Sequence, residues 1–165
     1  MKKILLGIFI GILVVSMTAC KGDILETDNK TPKGMIHEHC TRSGNIDNNS
    51  STDLSYEIYY TDGVLNKIES IEKVISTSSS TLDEYENAYR QIHSYYEGLA
   101  YYTAKVTRTS TSVTSEIVID YDNIDIQKLI DIEGEEDNIF ENGVPKIEKY
   151  KELAKKVGMQ CTQVS

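Results

Sequence analysis

The sequence is poor in several residue types that would point to a specific function. Its 165 residues include no tryptophan, two phenylalanines, two prolines, three histidines and three cysteines. It also lacks the motifs of phosphate-binding loops, dinucleotide folds and serine nucleophile elbows. We therefore expect neither an enzyme nor a cofactor. Eleven tyrosines supply most of the aromatic surface, and tyrosine suits half-wet positions because its hydroxyl can hydrogen-bond water.

Positive charge is scarce as well. The chain has 17 Lys and Arg against 26 Asp and Glu, which gives a formal net charge of −9. Loss of Lys2 and Lys3 with a cleaved leader would make the mature chain more negative still. A surface this acidic repels phosphate backbones, so we expect no nucleic-acid partner. A solubilising surface explains the charge without any partner.

Only one long apolar run occurs, at residues 4–15, and it is short for a membrane span but typical of a secretory leader. Lys2 and Lys3 precede it, and Thr18-Ala19-Cys20 follows in the manner of a bacterial lipobox. This order predicts a signal peptide at residues 1–19, lipid chains such as palmitate on Cys20, and a lipid anchor on the extracytoplasmic face of the cell membrane. The alternative is an uncleaved anchor, or an ordinary leader followed by a chance cysteine.

The remainder predicts a flexible tether at residues 20–35 and a single α+β domain at 36–165. The tether is polar and without periodicity. Residues 36–42 predict a first strand. The turn-forming residues of 43–53 predict a loop.

Two β-hairpins are predicted from period-two alternation. The first joins residues 54–61 to 64–75 through Asp62-Gly63. Apolar residues change parity along its second strand, which indicates either a bulge or a switch between two buried faces. The second hairpin, near residues 100–121, is predicted to be the central pair of an antiparallel sheet, with the remaining strands at its edges. Its buried positions are expected to be Ala104, Val106, Ile117 and Ile119.

Helices are predicted after each hairpin. Thr81 and Glu84 fit a capping box that opens a long helix at about residues 81–97, ended by Gly98. A short helix is expected at 125–132. A C-terminal helix begins at Pro145 and runs to Val157, and residues 159–164 form a last short strand.

Several of these segments, taken in order, resemble the YehR-like family of small bacterial lipoproteins. The similar parts are the lipobox, Tyr-x-Ile-Tyr-x-x-Asp-Gly-Val at residues 56–64, Tyr-x-Gly-Leu at 96–99, the long second hairpin, and Asp-Ile-x-x-Leu at 125–129. The resemblance implies an α+β lipoprotein fold of uncharacterised function, without catalytic residues to carry over. It offers no counterpart to Cys40 and Cys161, which are interpreted from this chain alone.

Cys40 and Cys161 are the cysteines that remain after Cys20. Exported proteins keep disulfides, and a bridge forms if the first and last strands are neighbours. Two separate thiols are the alternative.

His37 and His39 would point to the same face of a strand. Two nitrogens are too few for zinc, and a third would have to come from His93, so we expect no metal site.

Tyr59 and Tyr101 are predicted to lie opposite the core and are the candidate ligand-binding residues, although such tyrosines often only pack across strands. We therefore expect a lipid-anchored binding or interaction module of the cell envelope. Its contacts would be the membrane, through Cys20, and an unknown envelope protein. The alternative is an envelope protein that binds a small ligand or a metal.

Overall fold

A computed structural model of the protein describes residues 34–134 and 138–164. The predicted signal peptide, Cys20 and nearly all of the predicted tether lie outside these ranges. Within them, no helix has the length and apolar character needed to cross a membrane.

The domain is α+β, with a six-stranded antiparallel sheet, a two-stranded ribbon and three helices. The strands are β1 Ile36–Asp47, β2 Ser50–Thr61, β3 Val64–Ser76, β4 Tyr102–Arg108, β5 Ser112–Asp120, β6 Phe140–Glu141, β7 Val144–Pro145 and β8 Gln160–Gln163. The helices are α1 Ser79–Ser94, α2 Ile126–Glu133 and α3 Ile147–Lys156.

The large sheet has the strand order β4-β5-β3-β2-β1-β8. Strands β1, β2 and β3 form a meander, and α1 then carries the chain past β5 to the far edge. From there β4 and β5 return towards β3. The last strand, β8, pairs with β1 at the opposite edge, which confirms the expected proximity of the two ends of the domain.

The two faces of this sheet have different environments. The covered face packs against the helices and holds the core, which includes Tyr56, Ile58, Leu65, Ile117 and Ile119. Burial of Ile117 and Ile119 is confirmed. The open face carries the intervening residues and holds the side chains considered below as a candidate site.

The predicted loop at residues 43–53 is wrong. β1 continues to Asp47 and β2 begins at Ser50, so the two strands form a third hairpin with a short turn. Polar side chains suit these positions because many face solvent, while the ladder satisfies the backbone. On the covered face, the Ser50 hydroxyl hydrogen-bonds the Ser76 hydroxyl at 2.9 Å. Pairing across the sheet therefore overrides the turn preference of the local sequence.

The second hairpin is present but is not the central pair of the sheet. β4 lies at the edge, and only β5 has a strand on both sides. Ala104, predicted to be buried, is exposed, and Val106 is half-buried. An edge strand has no outer neighbour, so a small side chain such as that of Ala104 is left uncovered.

A bulge in β3 explains the parity change seen in the sequence. Tyr59 pairs with Lys67, whereas Tyr60 pairs with Leu65, so Asn66 is the extra residue. The bulge places Leu65 and Ile68 on the same, covered face. Beyond it, Ile71 and Ile75 point to the open face.

Two helix starts differ from the prediction. The N-cap of α1 is Ser78, whose hydroxyl accepts a hydrogen bond from the Thr81 amide at 3.3 Å. Thr81 is therefore inside the helix, and the predicted capping box is not used. Pro145 belongs to β7, opposite Phe140, and α3 starts only at Ile147. Pro145 pairs instead with the short Phe140–Glu141 strand, which the acidic, loop-like sequence before it did not predict.

Candidate functional site

The open face is a surface of mixed charged, aromatic and aliphatic side chains. Its residues form rows across the strands because the register brings alternate positions side by side. Two such rows run from β1 to β5: His37, Tyr59, Lys67 and Asp120, then His39, Glu57, Glu69 and Val118. The next row contains Thr41, Ser55, Ile71 and Glu116.

Two histidines of β1 enclose one carboxylate of β2. Glu57 lies directly opposite His39 and two residues along β2 from Tyr59, the partner of His37. Its Oε1 is 2.6 Å from His39 Nδ1, and its Oε2 is 2.6 Å from His37 Nε2. All three side chains remain partly accessible to solvent. We call these residues the His–Glu–His cluster.

Aromatic stacking holds one side of this cluster in place. The Tyr59 ring stacks on His37 with centroids 4.4 Å apart and planes 13° apart. Lys67 lies 5.8 Å from the centroid of the Tyr59 ring and forms an ion pair with Glu69. Burial, reinforced by Glu69 and Glu57, raises the pKa of Tyr59, so this hydroxyl stays neutral at physiological pH.

Tyr59 and Tyr101, the predicted ligand-binding residues, do not form one pocket. Tyr101 is 55% exposed and has φ of 65°, just before β4. Its carbonyl accepts a hydrogen bond from Asp120, which is in the same row as Tyr59. Three strand spacings separate β2 from β4, or about 14 Å. The two tyrosines therefore lie too far apart to line the same pocket.

Cys40 and Cys161 are opposite one another in the β1–β8 ladder and are joined by a disulfide, with Cα atoms 3.9 Å apart. Glu38 approaches the two sulfurs, and these three residues are the only described ones with three potential metal-binding atoms within 4.8 Å of one another. The sulfurs are already bonded to each other, so they cannot serve as thiolate ligands. Glu38 instead accepts hydrogen bonds from Tyr60 and Lys151, at 2.7 and 2.8 Å.

A second polar group lies beneath α1 on the covered face. The Glu72 carboxyl accepts hydrogen bonds from Tyr56 and Tyr89. Burial raises the pKa of Glu72, and the two hydroxyls only partly offset that effect. A cavity of about 20 Å³ lies beside it, which is room for roughly one water molecule.

His93 belongs to this buried group and not to the open face. Its Nε2 is 2.9 Å from the Ser115 hydroxyl, and its Nδ1 is 3.2 Å from the Tyr102 hydroxyl. Burial lowers the pKa of His93. It cannot supply a third ligand to His37 and His39 because the sheet lies between them. Ser115 is only 1% exposed, so its contact with His93 does not present a nucleophile to solvent.

Two isoleucines interrupt the polar character of the open face. Ile71 is 48% exposed and Ile75 is 37% exposed, both on the central strand β3. Glu116 is opposite Ile71, and Lys73 lies between the two isoleucines in sequence. An apolar centre is therefore flanked by charged side chains.

Comparison with known proteins identifies the family and the fold. The family model described as "Domain of unknown function (DUF8824)" matches residues 27–165. The chain belongs to the DUF8824 family. The fold of this DUF8824 chain is similar to that of the Escherichia coli YehR protein, solved by NMR, with a TM-score of 0.54 and 18% identity. The similarity covers 78% of this chain and 93% of YehR, and it confirms the expected YehR-like fold.

A protein from Streptococcus pneumoniae TIGR4, also solved by NMR, has a TM-score of 0.47 and 14% identity. That match covers 92% of this chain and all of the other. No curated protein matches the DUF8824 chain. The lipid anchor and the binding role stay predictions.

Sequence reasoning about the DUF8824 chain missed Glu57 as the partner of the two histidines. The sequence offered the Asp62-Gly63 turn, but this turn fixes only the register of β2 against β3. Glu57 contacts His37 and His39 through the register of β1 against β2. That register depends on a turn at residues 48–49, inside the segment predicted to be a loop. The third member of the cluster was therefore hidden by the wrong strand boundary.

Proposed function

We propose that the protein is a lipid-anchored, extracytoplasmic binding module without enzymatic activity, and that its open face binds a protein partner at the cell envelope. The exposure of Ile71 and Ile75 along the inner strand β3 of that face is the observation that carries the proposal. The order of basic, apolar and small residues before Cys20 supports the anchor.

The open face has the composition of an interface. A solvated antiparallel face normally alternates cleanly, with polar residues outside. Ile71 and Ile75 depart from this rule on a strand that has neighbours on both sides, so an apolar centre is available between charged side chains. Protein interfaces combine such a centre with a polar rim. Lys67, Lys73 and Glu69 provide the rim here.

The charges around the centre favour a protein over a small ligand or a nucleic acid. Lys105 and Glu116, for example, form an exposed ion pair at 3.4 Å. Exposed pairs of this kind contribute little to folding stability, so they can be exchanged for charges of a partner. Ile75 is among the residues that line the cavity at the β1–β2 turn, but neither this cavity nor the one beneath α1 is lined by Tyr59 or Tyr101. The overall acidity disfavours nucleic acid.

The test is site-specific crosslinking in intact membranes, with a photoreactive residue at position 71. We expect a crosslink to one protein of defined mass, and Ile71→Lys should abolish co-purification of the same protein. Ile132→Lys is the matched control, because Ile132 is 38% exposed but belongs to α2. Equal capture by both variants, or crosslinks of no defined mass, would remove the open face as the binding surface.

A further inference from the structure

We infer that the His–Glu–His cluster binds a divalent transition-metal ion such as Zn²⁺, with His37, His39 and Glu57 as ligands and water completing the coordination. Two imidazole nitrogens and a carboxylate oxygen match the preference of zinc for nitrogen and oxygen donors. The site lies on the same open face as the partner surface proposed above, but zinc binding requires no second protein and can be tested on its own.

The sheet brings the three donors together. His37 and His39 are two positions apart on β1, so their side chains leave the same face. Glu57 lies on the adjacent strand, with Oε2 2.6 Å from the His37 imidazole and Oε1 2.6 Å from the His39 imidazole. These residues belong to strands and not to a flexible loop, so the backbone that carries the ligands is already ordered on folding.

The present hydrogen bonds already bring each imidazole nitrogen close to the carboxylate oxygen with which it would share a metal ion. Each imidazole now directs a nitrogen at Glu57, and among the described residues Glu57 has no lysine or arginine partner. Two donor atoms bound to one tetrahedral zinc ion lie about 3.3–3.6 Å apart, given zinc–ligand bonds of about 2.0–2.2 Å. Each His–Glu pair is already at or below that separation.

Closure of the site requires the two imidazole nitrogens to approach one another. The Glu57 carboxylate now lies between them, and the three donor atoms are not all within 4.8 Å of one another. Among the described residues, only Glu38, Cys40 and Cys161 have three potential ligand atoms that close together. The histidine side chains are partly accessible to solvent. Rotation of the two rings inward then leaves the solvent side of the ion open to water.

The experiment is equilibrium dialysis of the full chain, purified in detergent without a polyhistidine tag, against Zn²⁺ at neutral pH. We expect saturation at one ion per chain with a micromolar dissociation constant. His37→Gln, His39→Gln and Glu57→Gln should each weaken binding by at least about tenfold. Glu69→Gln is the matched control, because it removes the same charge from the neighbouring position of the same row.

Two results would overturn the inference. One is the absence of saturable binding below about 100 μM Zn²⁺. The other is equal weakening by Glu57→Gln and Glu69→Gln, which would indicate attraction of the ion to an acidic surface. Circular dichroism of each variant confirms folding, and NMR of the imidazole nitrogens shows whether both rings bind the ion. Loss of the protein partner in crosslinking leaves these readouts unchanged.

Discussion

Glu72 is a carboxyl group placed where an ionised carboxylate is costly. It is buried between β3 and α1, and two tyrosine hydroxyls donate to it. Burial raises its pKa in the folded state, so folding favours the protonated form. The stabilising contribution of this group is therefore present below the ordinary carboxyl pKa and is lost as pH rises through the raised value.

Glu72→Gln is expected to flatten that pH dependence. Relative to wild type, the variant should gain stability from about pH 4 upward, because a neutral amide has no charge to bury. Urea unfolding at a series of pH values measures the difference. Glu69→Gln, on the open face, controls for the loss of one negative charge. Parallel curves for wild type and Glu72→Gln would show that Glu72 does not titrate differently in the folded and unfolded protein.

Individual side chains were predictable where one strand decides their environment. Alternation correctly assigned Ile117 and Ile119 to the core. It failed at Ala104, because its burial depends on the position of β4 at the sheet edge. It could not pair Glu57 with two histidines, since such contacts require a register between strands that are separated by a turn.

At the scale of elements, the strands at the two ends of the domain depend on one another. All four residues of β8 are exposed, so little apolar burial holds this strand to β1. The backbone ladder and the Cys40–Cys161 disulfide provide the attachment. The same segment was predictable as a strand from Gly158 onward. The length of β1 was not, because local turn preferences concealed its pairing with β2.

Loss of the bridge is expected to destabilise the domain and release β8. Cys161→Ser is the appropriate change, because Cys161 is exposed whereas Cys40 is fully buried. The bridge spans 121 residues, and a loop of that size corresponds to about 4–5 kcal/mol of unfolded-state entropy. Urea unfolding should show a lower midpoint, and amide exchange should become fast in Gln160–Gln163.

Thr162→Ala is the control for this experiment, since it alters the same strand and keeps the disulfide. Its effect should stay within about 0.5 kcal/mol, as for ordinary surface changes. Reduced wild type should behave like Cys161→Ser. Alkylation of both cysteines in the folded, exported protein would show instead that the bridge is absent in the cell.

For the whole molecule, attachment and folding are assigned to different parts of the chain. The described domain has its own core and contains no helix able to cross a membrane. We propose, from the lipobox-like order of residues before Cys20, that attachment comes from lipid on this cysteine, where each buried methylene contributes roughly 0.8 kcal/mol. The order of residues in the leader predicts attachment to the membrane from the sequence alone. A partner surface could not be predicted in this way, because it exists only after the strands have assembled into the sheet.

Cys20→Ser is expected to move the protein out of the membrane fraction or to leave an unprocessed precursor there. The physical reason is that serine cannot receive the thioether-linked lipid, so the mature chain loses its apolar anchor. Membrane fractionation with intact-mass analysis distinguishes the two outcomes. Cys161→Ser is the matched control, because it removes a cysteine of the domain, together with its disulfide, without touching the lipidation site, and should leave the anchored fraction unchanged. A wild-type mature chain that begins elsewhere and carries no lipid would contradict the assignment of Cys20.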